Sequence, residues 1–172
     1  MRNKNTKKIA LIGILSALYF VCSITLKIPM GIGSIALDLG YIVLTIAALY
    51  LGAIPAAIVG GLGAMLESVL LSSYGISYGW IVMNIIIGLI CGIFFRLIKS
   101  NKMGIREIVG YSGIILVAVL LGVGAKTIIE CNLYSIPYLV KIPKSLVAFG
   151  VDSVVMIIGL PIAYRVRKFI KN

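Results

Sequence analysis

The sequence has few acids, no histidine and little charge of either sign, and each shortage excludes a class of protein. Only 12% of its 172 residues are charged and 61% are hydrophobic, whereas a soluble domain needs about 25% charged residues. The absence of histidine excludes most zinc and haem sites and the commonest general base. The three cysteines, Cys22, Cys91 and Cys131, are scattered, and we interpret them as packing residues rather than a metal site or a disulfide set.

Motifs for nucleotide binding and for catalysis are missing as well. The chain contains no Walker A loop, no HExxH, no GxSxG and no pairing of serine with histidine. It therefore cannot drive ATP-dependent transport by itself. We expect no enzymatic activity, no cofactor and no metal site.

The sequence does contain a series of apolar runs, several long enough to cross about 30 Å of hydrocarbon. Its mean hydropathy is +1.15. The runs predict six spans, at about residues 8–27, 38–51, 53–71, 80–98, 108–129 and 145–164. The second is short for a full crossing. We therefore expect an all-α integral membrane protein, a single six-transmembrane-helix bundle over residues 1–172 that lies in a lipid bilayer.

The basic residues favour one orientation of this bundle. Twelve of the sixteen lysines and arginines precede the first run, follow the last run, or lie in the loop at residues 96–106. This is the distribution of the positive-inside rule, and it argues against a patch that binds nucleic acid. Six spans bring the three clusters to one side, so we predict that both termini are cytoplasmic. Residues 29–37, 72–79 and 130–144 then lie outside, where they could cover a site.

The chain has only five acids, and four of them are predicted to lie within the spans or near their outer ends: Asp38, Glu67, Glu130 and Asp152. A carboxylate at the centre of a membrane costs roughly 2.5–3.5 kcal/mol on insertion scales, so it is rarely without a role. Glu107, the fifth acid, begins the fifth span, where an anion suits the helix N-terminus.

Glu67 is the acid nearest a close-packing surface. Gly60, Gly63 and Ala64 form a small-residue face on the same span, which allows another helix to approach. Three interpretations remain open for Glu67. It forms a structural ion pair or interhelical hydrogen bond with Lys126 or Lys144, it contacts a ligand, or it extends to the membrane interface by snorkelling.

Aromatic and polar residues near the predicted outer ends suggest a binding site. Trp80 and Asn84 lie one turn apart on the fourth span, and an indole beside an amide suits a flat, polar heterocycle. An interfacial aromatic belt is the alternative for Trp80, and the same ambiguity applies to four tyrosines: Tyr74, Tyr78, Tyr134 and Tyr138.

Two arrangements of charge complete the set of candidate residues. Lys126 and Glu130 are spaced to form an i,i+4 pair on the fifth span, and a purely structural role is the alternative to ligand binding for this pair. Lys144 and Asp152 fall on one stripe of the sixth span.

Four stretches cover most of the chain in this order: "KKIALIGILSALYFV", "DLGYIVLTIAALYLGAIPAAIVGGLGAMLESVL", "YGWIVMNIIIGLICGIFFRLIK" and "YSIPYLVKIPKSLVAFGVDSVVMIIGLPIAYRVRK". Their order and spacing resemble one known family, the substrate-binding S components of energy-coupling factor (ECF) vitamin transporters. The similarity covers essentially the whole chain.

The resemblance implies a subunit in the plasma membrane of a prokaryote that captures a water-soluble vitamin from outside. Its implied partners are a transmembrane coupling subunit and two ATPase subunits. An Ala-x-x-x-Ala motif of the family's first helix, which packs on the coupling subunit, corresponds here to Gly13 and Ala17. Internal packing is the alternative for this pair. A self-sufficient small transporter or a membrane scaffold is the alternative function.

The acids favour a cationic or amine-bearing heteroaromatic ligand of the hydroxymethylpyrimidine, thiamine or pyridoxine type. The binding set predicted for it is Glu67, Trp80, Asn84, Tyr74, Tyr78, Glu130, Tyr134, Lys144 and Asp152. Lys126, Lys141 and Lys144 would instead suit the carboxylate of a folate or a pantothenate.

Overall fold

The computed structural model of the chain describes residues 3–29, 36–71, 76–98 and 104–171. These ranges contain six α-helices and one two-stranded β-hairpin. In chain order the elements are α1 (Asn3–Thr25), β1 (Lys27–Pro29), β2 (Ala36–Asp38), α2 (Gly40–Leu51), α3 (Ala53–Leu71), α4 (Tyr78–Phe94), α5 (Ile105–Leu133) and α6 (Tyr138–Lys171). The prediction of an all-α fold with six helices is confirmed.

Four of the six helices are long and apolar enough to cross a membrane. The qualifying stretches are Thr6–Thr25, Ala53–Leu70, Ile105–Leu133 and Tyr138–Val166. α2 and α4 are apolar but shorter, with 12 and 17 residues. At about 1.5 Å per residue, α2 extends roughly 18 Å, which is less than a hydrocarbon core of about 30 Å. Six complete crossings therefore remain a prediction.

α2 lies at the centre of the bundle, which explains how so short a helix is accommodated. It packs against α1, α3, α4 and α6, and eight of its twelve residues are buried. α1, α5 and α6, in contrast, present large aliphatic side chains to the exterior, such as Ile9, Leu121 and Leu139. A buried centre inside an apolar exterior is the arrangement expected of a helical bundle in lipid.

The turn between α2 and α3 depends on Gly52. This residue has a φ of 87°, a conformation that glycine adopts without steric cost. A guanidinium nitrogen of Arg96, from the turn after α4, donates a hydrogen bond of 3.1 Å to the carbonyl of Leu51. The uncharged stretch "LGAIP" therefore forms a tight turn, and Arg96 links it to the end of α4.

The connection between α1 and α2 contains a β-hairpin. Its described parts are two antiparallel strands that pair Lys27 with Asp38 and Pro29 with Ala36. Residues 30–35 lie outside the described ranges. We call the end of the bundle that carries this hairpin the hairpin end, and the opposite end, which carries Lys7, Arg96 and Arg165, the basic end.

The prediction of a long connection over residues 130–144 is wrong. α5 continues to Leu133 and α6 begins at Tyr138, so only residues 134–137 lie between them. Pro143 falls inside α6, where the prediction placed a break. Pro143 is the sixth residue of α6, beyond the four N–H groups that lack an intrahelical partner, so the helix continues through it although one hydrogen bond is lost.

Candidate functional site

Six buried side chains from different parts of the chain meet near the hairpin end of the bundle. We call them the polar cluster: Tyr19 (α1), Asp38 (β2), Tyr41 (α2), Glu67 (α3), Asn84 (α4) and Asp152 (α6). All are at most 8% exposed. Three carboxylates so deep in an apolar bundle are costly, which is typical of a functional site rather than of simple packing.

Hydrogen bonds and glycines fix the side of the cluster formed by α1, α3 and α4. The Tyr19 hydroxyl donates to Oδ1 of Asn84 at 2.9 Å, and Nδ2 of Asn84 donates to the carbonyl of Trp80 at 2.9 Å. Gly63 lies directly against the Tyr19 ring, and a Cβ at Gly60 would lie 2.8 Å from the Asn84 carbonyl oxygen. The predicted small-residue face on α3 is confirmed, since only small residues allow these approaches.

Asp38 joins the hairpin to the cluster. Its carboxylate accepts hydrogen bonds from the Ser23 hydroxyl at 2.8 and 3.0 Å and from the N–H of Gly40 at 2.7 Å. These bonds tie β2 to α1 and to the first residue of α2. Asp38 therefore holds the connection between α1 and α2 against the site.

The carboxylates surround two tyrosine hydroxyls. Asp38, Glu67 and Asp152 all lie within electrostatic range of both Tyr19 and Tyr41. Among the described residues, the Tyr41 hydroxyl has no hydrogen-bond partner, and the same holds for Nε1 of Trp80 and the hydroxyl of Ser153. Tyr41 belongs to the polar cluster and Trp80 packs against it, so these two groups can donate hydrogen bonds to a molecule bound there.

Aromatic rings form one wall of the site. Tyr41 packs edge-to-face on Tyr19, with ring centroids 6.4 Å apart, and on Trp80, with centroids 6.1 Å apart. The ammonium of Lys126 lies 4.4 Å from the centroid of the Trp80 ring. A tryptophan wall beside carboxylates is suited to a flat ligand with polar edges.

The predicted pair of Lys126 and Glu130 is confirmed. Their charged atoms are 4.0 Å apart, and Lys141 of α6 makes a second ion pair with the Glu130 carboxylate. Glu130 is 6% exposed. This ionic group, composed of Lys126, Glu130 and Lys141, links α5 to α6 beside Trp80.

The structure brings together only part of the predicted site. Glu67, Asn84 and Asp152 belong to the polar cluster, with Trp80 next to it and Glu130 in the adjoining ionic group. Three other predicted residues are exposed and lie apart from it: Tyr78, Tyr134 and Lys144. The Tyr134 hydroxyl instead donates to the Ile76 carbonyl at 3.1 Å. Tyr74 lies outside the described residues.

The exposed Lys144 does not share the buried environment of Asp152, although both residues lie on α6. The predicted stripe therefore does not form a single surface. α6 presents Asp152 to the interior and Lys144 to the exterior.

Sequence reasoning missed Tyr19, Ser23 and Tyr41 and did not propose Asp38 for the site. In the sequence, the two tyrosines are indistinguishable from other aromatic residues of an apolar run. Tyr19 is 65 positions from Asn84, the amide that it contacts. Asp38 offered a signal, because it is one of only five acids in the chain.

Gly13 and Ala17, predicted to contact a partner, lie on the outside of α1. Both are exposed, and a Cβ on Gly13 would meet no atom within 4 Å. Internal packing, the alternative, does not fit this position. Among the described residues, no group of three or more potential metal ligands occurs.

The overall architecture is that of a known class of membrane protein, the S components of ECF-type transporters. A solved structure titled as the S-component for biotin from an ECF-type ABC transporter superimposes with a TM-score of 0.70. It is 20% identical, and the match covers 98% of this chain and 94% of that one. No curated protein sequence matches the chain significantly.

The sequence model of the family described as "ECF-type riboflavin transporter, S component" matches residues 3–168. The chain belongs to this family. It is therefore the substrate-binding subunit of an ECF transporter, which works with a coupling and ATPase module, and the family is not one of enzymes. The two comparisons name different vitamins, riboflavin and biotin, and neither supports the predicted preference for a pyrimidine or pyridine.

Proposed function

We propose that this chain binds a water-soluble, amine-bearing or cationic heteroaromatic vitamin in the polar cluster at the hairpin end. The observation that carries the proposal is the burial of three carboxylates, Asp38, Glu67 and Asp152, within electrostatic range of the same two tyrosines. Such a concentration of negative charge in a membrane bundle favours a ligand that brings positive charge or several hydrogen-bond donors.

The aromatic wall supports a flat ligand. Trp80 and Tyr41 offer ring surfaces, while Asn84 and the Tyr41 hydroxyl offer polar groups in the same cluster. A site of this composition suits a ring bound through stacking and through hydrogen bonds at its edges. Ligands of the hydroxymethylpyrimidine, thiamine or pyridoxine type have both features.

The positions of the lysines argue against an anionic ligand such as a folate or a pantothenate. Lys126 and Lys141 both pair with Glu130, and Lys144 is exposed. The cations nearest the site are thus already engaged with a carboxylate, whereas an anion would need a cation that is ready to receive it.

Binding is best tested on the purified full-length chain. Native mass spectrometry in mild detergent should detect a co-purified vitamin, and removal of this ligand should allow titration with a panel of water-soluble vitamins. Trp80 is the only tryptophan, so its fluorescence reports directly on the site. A chain that carries no small molecule and responds to no vitamin of the panel would refute the proposal.

We propose further that the hairpin end faces the outside and that both termini are cytoplasmic, with delivery through a transmembrane coupling subunit and two ATPases. The basic residues at the opposite end support this orientation. A protease site fused to the C-terminus should be cut in inside-out vesicles and protected in right-side-out vesicles. Affinity purification in mild detergent should retain the coupling subunit and ATPases, whereas a self-sufficient transporter or scaffold would be isolated alone.

A further inference from the structure

The lysine above Trp80 occupies a surface that the proposed ligand requires. The Lys126 ammonium lies 4.4 Å from the centroid of the Trp80 ring, within the range of a cation–π interaction. Trp80 also packs against Tyr41 of the polar cluster. A flat molecule that stacks on the covered face of Trp80 therefore has to displace the ammonium or bind beside it.

The backbone around Lys126 is held firmly, so the lysine is positioned rather than loosely placed. Gly79, next to Trp80, packs against α5: a Cβ there would lie 2.9 Å from Cγ of Glu130 and 3.1 Å from the Lys126 carbonyl oxygen. The start of α4 is thus fixed against the helical turn that carries both ionic residues. Because the backbone is fixed, only the side chain of Lys126 can change position, and its 22% exposure leaves room for this change.

Glu130 gives the Lys126 ammonium a second position. At 4.0 Å the two charged groups are at the edge of ion-pair distance, so a small shift of the lysine away from Trp80 brings a closer pair within reach. Lys141 also pairs with Glu130. The carboxylate therefore keeps a cationic partner when Lys126 moves or is replaced.

We propose that Lys126 is a specificity-determining residue of the site, a resident cation on Trp80 that selects among ligands by their charge. A ligand that is itself cationic meets like-charge repulsion until Lys126 turns to Glu130. A neutral flat ligand has only to displace the cation–π contact. An anionic ligand is attracted to the ammonium but has to compete for it with Glu130. This inference rests on the proposed function and deepens it.

The test measures the affinities of three probes by quenching of Trp80 fluorescence: thiamine as a cation, riboflavin as a neutral flat molecule and biotin as an anion. Lys126→Met should improve the affinity for thiamine relative to riboflavin by about tenfold, within the range of cation–π energies, and should weaken any binding of biotin. Lys126→Arg, which keeps the cation, should retain the wild-type order of affinities.

Lys141→Met is the matched control, because Lys141 pairs with the same carboxylate through a different helix and is not the cation placed over Trp80. It should leave the ratio of affinities unchanged within about twofold. In the absence of ligand, Lys126→Met should also change the emission of Trp80, and Lys141→Met should not.

The outcomes separate this inference from the proposed function. If the probes bind and Lys126→Met and Lys141→Met give the same ratio of affinities, Lys126 does not set specificity, although the binding function stands. If the emission of Trp80 responds to Lys126→Met but no probe binds to the wild type or any variant, the proposed function fails, and the selective role falls with it. An unchanged emission would show that Lys126 does not rest on the ring.

Discussion

At the scale of single residues, Glu67 is the acid for which a structural role and a ligand-binding role have the most different consequences. It is 8% exposed and lies in the polar cluster. We expect Glu67→Gln to weaken binding of an amine-bearing ligand by about 10- to 100-fold, since a hydrogen bond to a charged group contributes roughly 1.5–3 kcal/mol. Expression should change little, because glutamine has the same shape.

Isothermal titration calorimetry on the purified variant measures this loss. Glu107→Gln is the control. The substitution removes the same charge, but Glu107 lies in the first turn of α5 at the basic end, away from the polar cluster. Equal affinity in Glu67→Gln and wild type would assign Glu67 to a structural role.

The two buried tyrosines of the cluster should respond differently to loss of their hydroxyls: one in stability, the other in ligand binding. Tyr19→Phe leaves the buried Asn84 Oδ1 without the donor that it has at 2.9 Å, which costs about 1–3 kcal/mol. Tyr41→Phe removes a hydroxyl that has no hydrogen-bond partner among the described residues. Only Tyr19→Phe should lower the Tm of the ligand-free protein, whereas Tyr41→Phe should weaken ligand binding.

Thermal unfolding in detergent and a ligand titration on both variants give the two quantities separately. A Tm lowered equally by both substitutions would mean that the Tyr41 hydroxyl is engaged in the ligand-free protein. Binding that is unaffected by Tyr41→Phe would remove this hydroxyl from the site.

At the scale of elements, the bounds of α3 were predictable at both ends and those of α6 were not. α3 runs from Ala53 to Leu71 as predicted, because Gly52 interrupts the apolar pattern at its start. α6 begins at Tyr138, not at residue 145, because the helix continues through Pro143. Pro143 and Pro161 both lie inside α6, so a proline in this chain does not by itself mark the end of a helix, although it removes an intrahelical hydrogen bond.

Only those site residues whose type is rare in this sequence could be predicted. Glu67, Glu130 and Asp152 stand out because acids are scarce in an apolar chain. Tyr19 and Tyr41 do not, because nothing in a single run of sequence indicates which aromatic residues face the interior. Their roles depend on the packing of α1 and α2 against α3, α4 and α6.

The close contact between α3 and α4 depends on glycines, so a larger residue at one of them should displace α4. A Cβ at Gly88 would lie 2.7 Å from the Ala56 backbone, so a larger residue has to push the two helices apart. Gly88→Leu should lower the Tm clearly, since overpacking costs typically 1–3 kcal/mol or more. It should also weaken binding, because α4 carries Trp80 and Asn84.

Gly113→Ala provides the comparison, because a Cβ at Gly113 on α5 would meet no atom within 4 Å. Thermal unfolding of this variant should show no loss of stability. If Gly88→Leu is as stable as Gly113→Ala, the close contact of α3 with α4 is not a determinant of the fold.

At the scale of the whole molecule, the binding site and the exposed face of α1 lie on separate parts of the bundle. The polar cluster is buried near the hairpin end, whereas Gly13, Ile14 and Ala17 lie on the exterior of α1, around the middle of the helix. Tyr19, on the same helix, reaches the cluster. α1 therefore connects the site to the surface at which the coupling subunit is expected to pack.

This separation predicts that docking can be abolished while ligand binding is retained. Gly13→Leu adds a bulky side chain where a Cβ meets no atom of this chain within 4 Å, so the bundle itself should tolerate it. A partner helix that approaches closely at a small residue would be excluded. We expect Gly13→Leu to lose the coupling subunit and ATPases on affinity purification, with a vitamin affinity within about twofold of wild type.

Gly150→Leu controls for an added leucine on the outside of the bundle, because Gly150 on α6 is also exposed and a Cβ there would meet nothing within 4 Å. This variant should retain both the module and the ligand. Loss of the module in both variants would point to a general effect of surface bulk, and retention in both would place the docking surface elsewhere than on α1. Only a difference between the two variants assigns docking to the exposed surface of α1 at Gly13, since both variants leave every residue of the polar cluster in place.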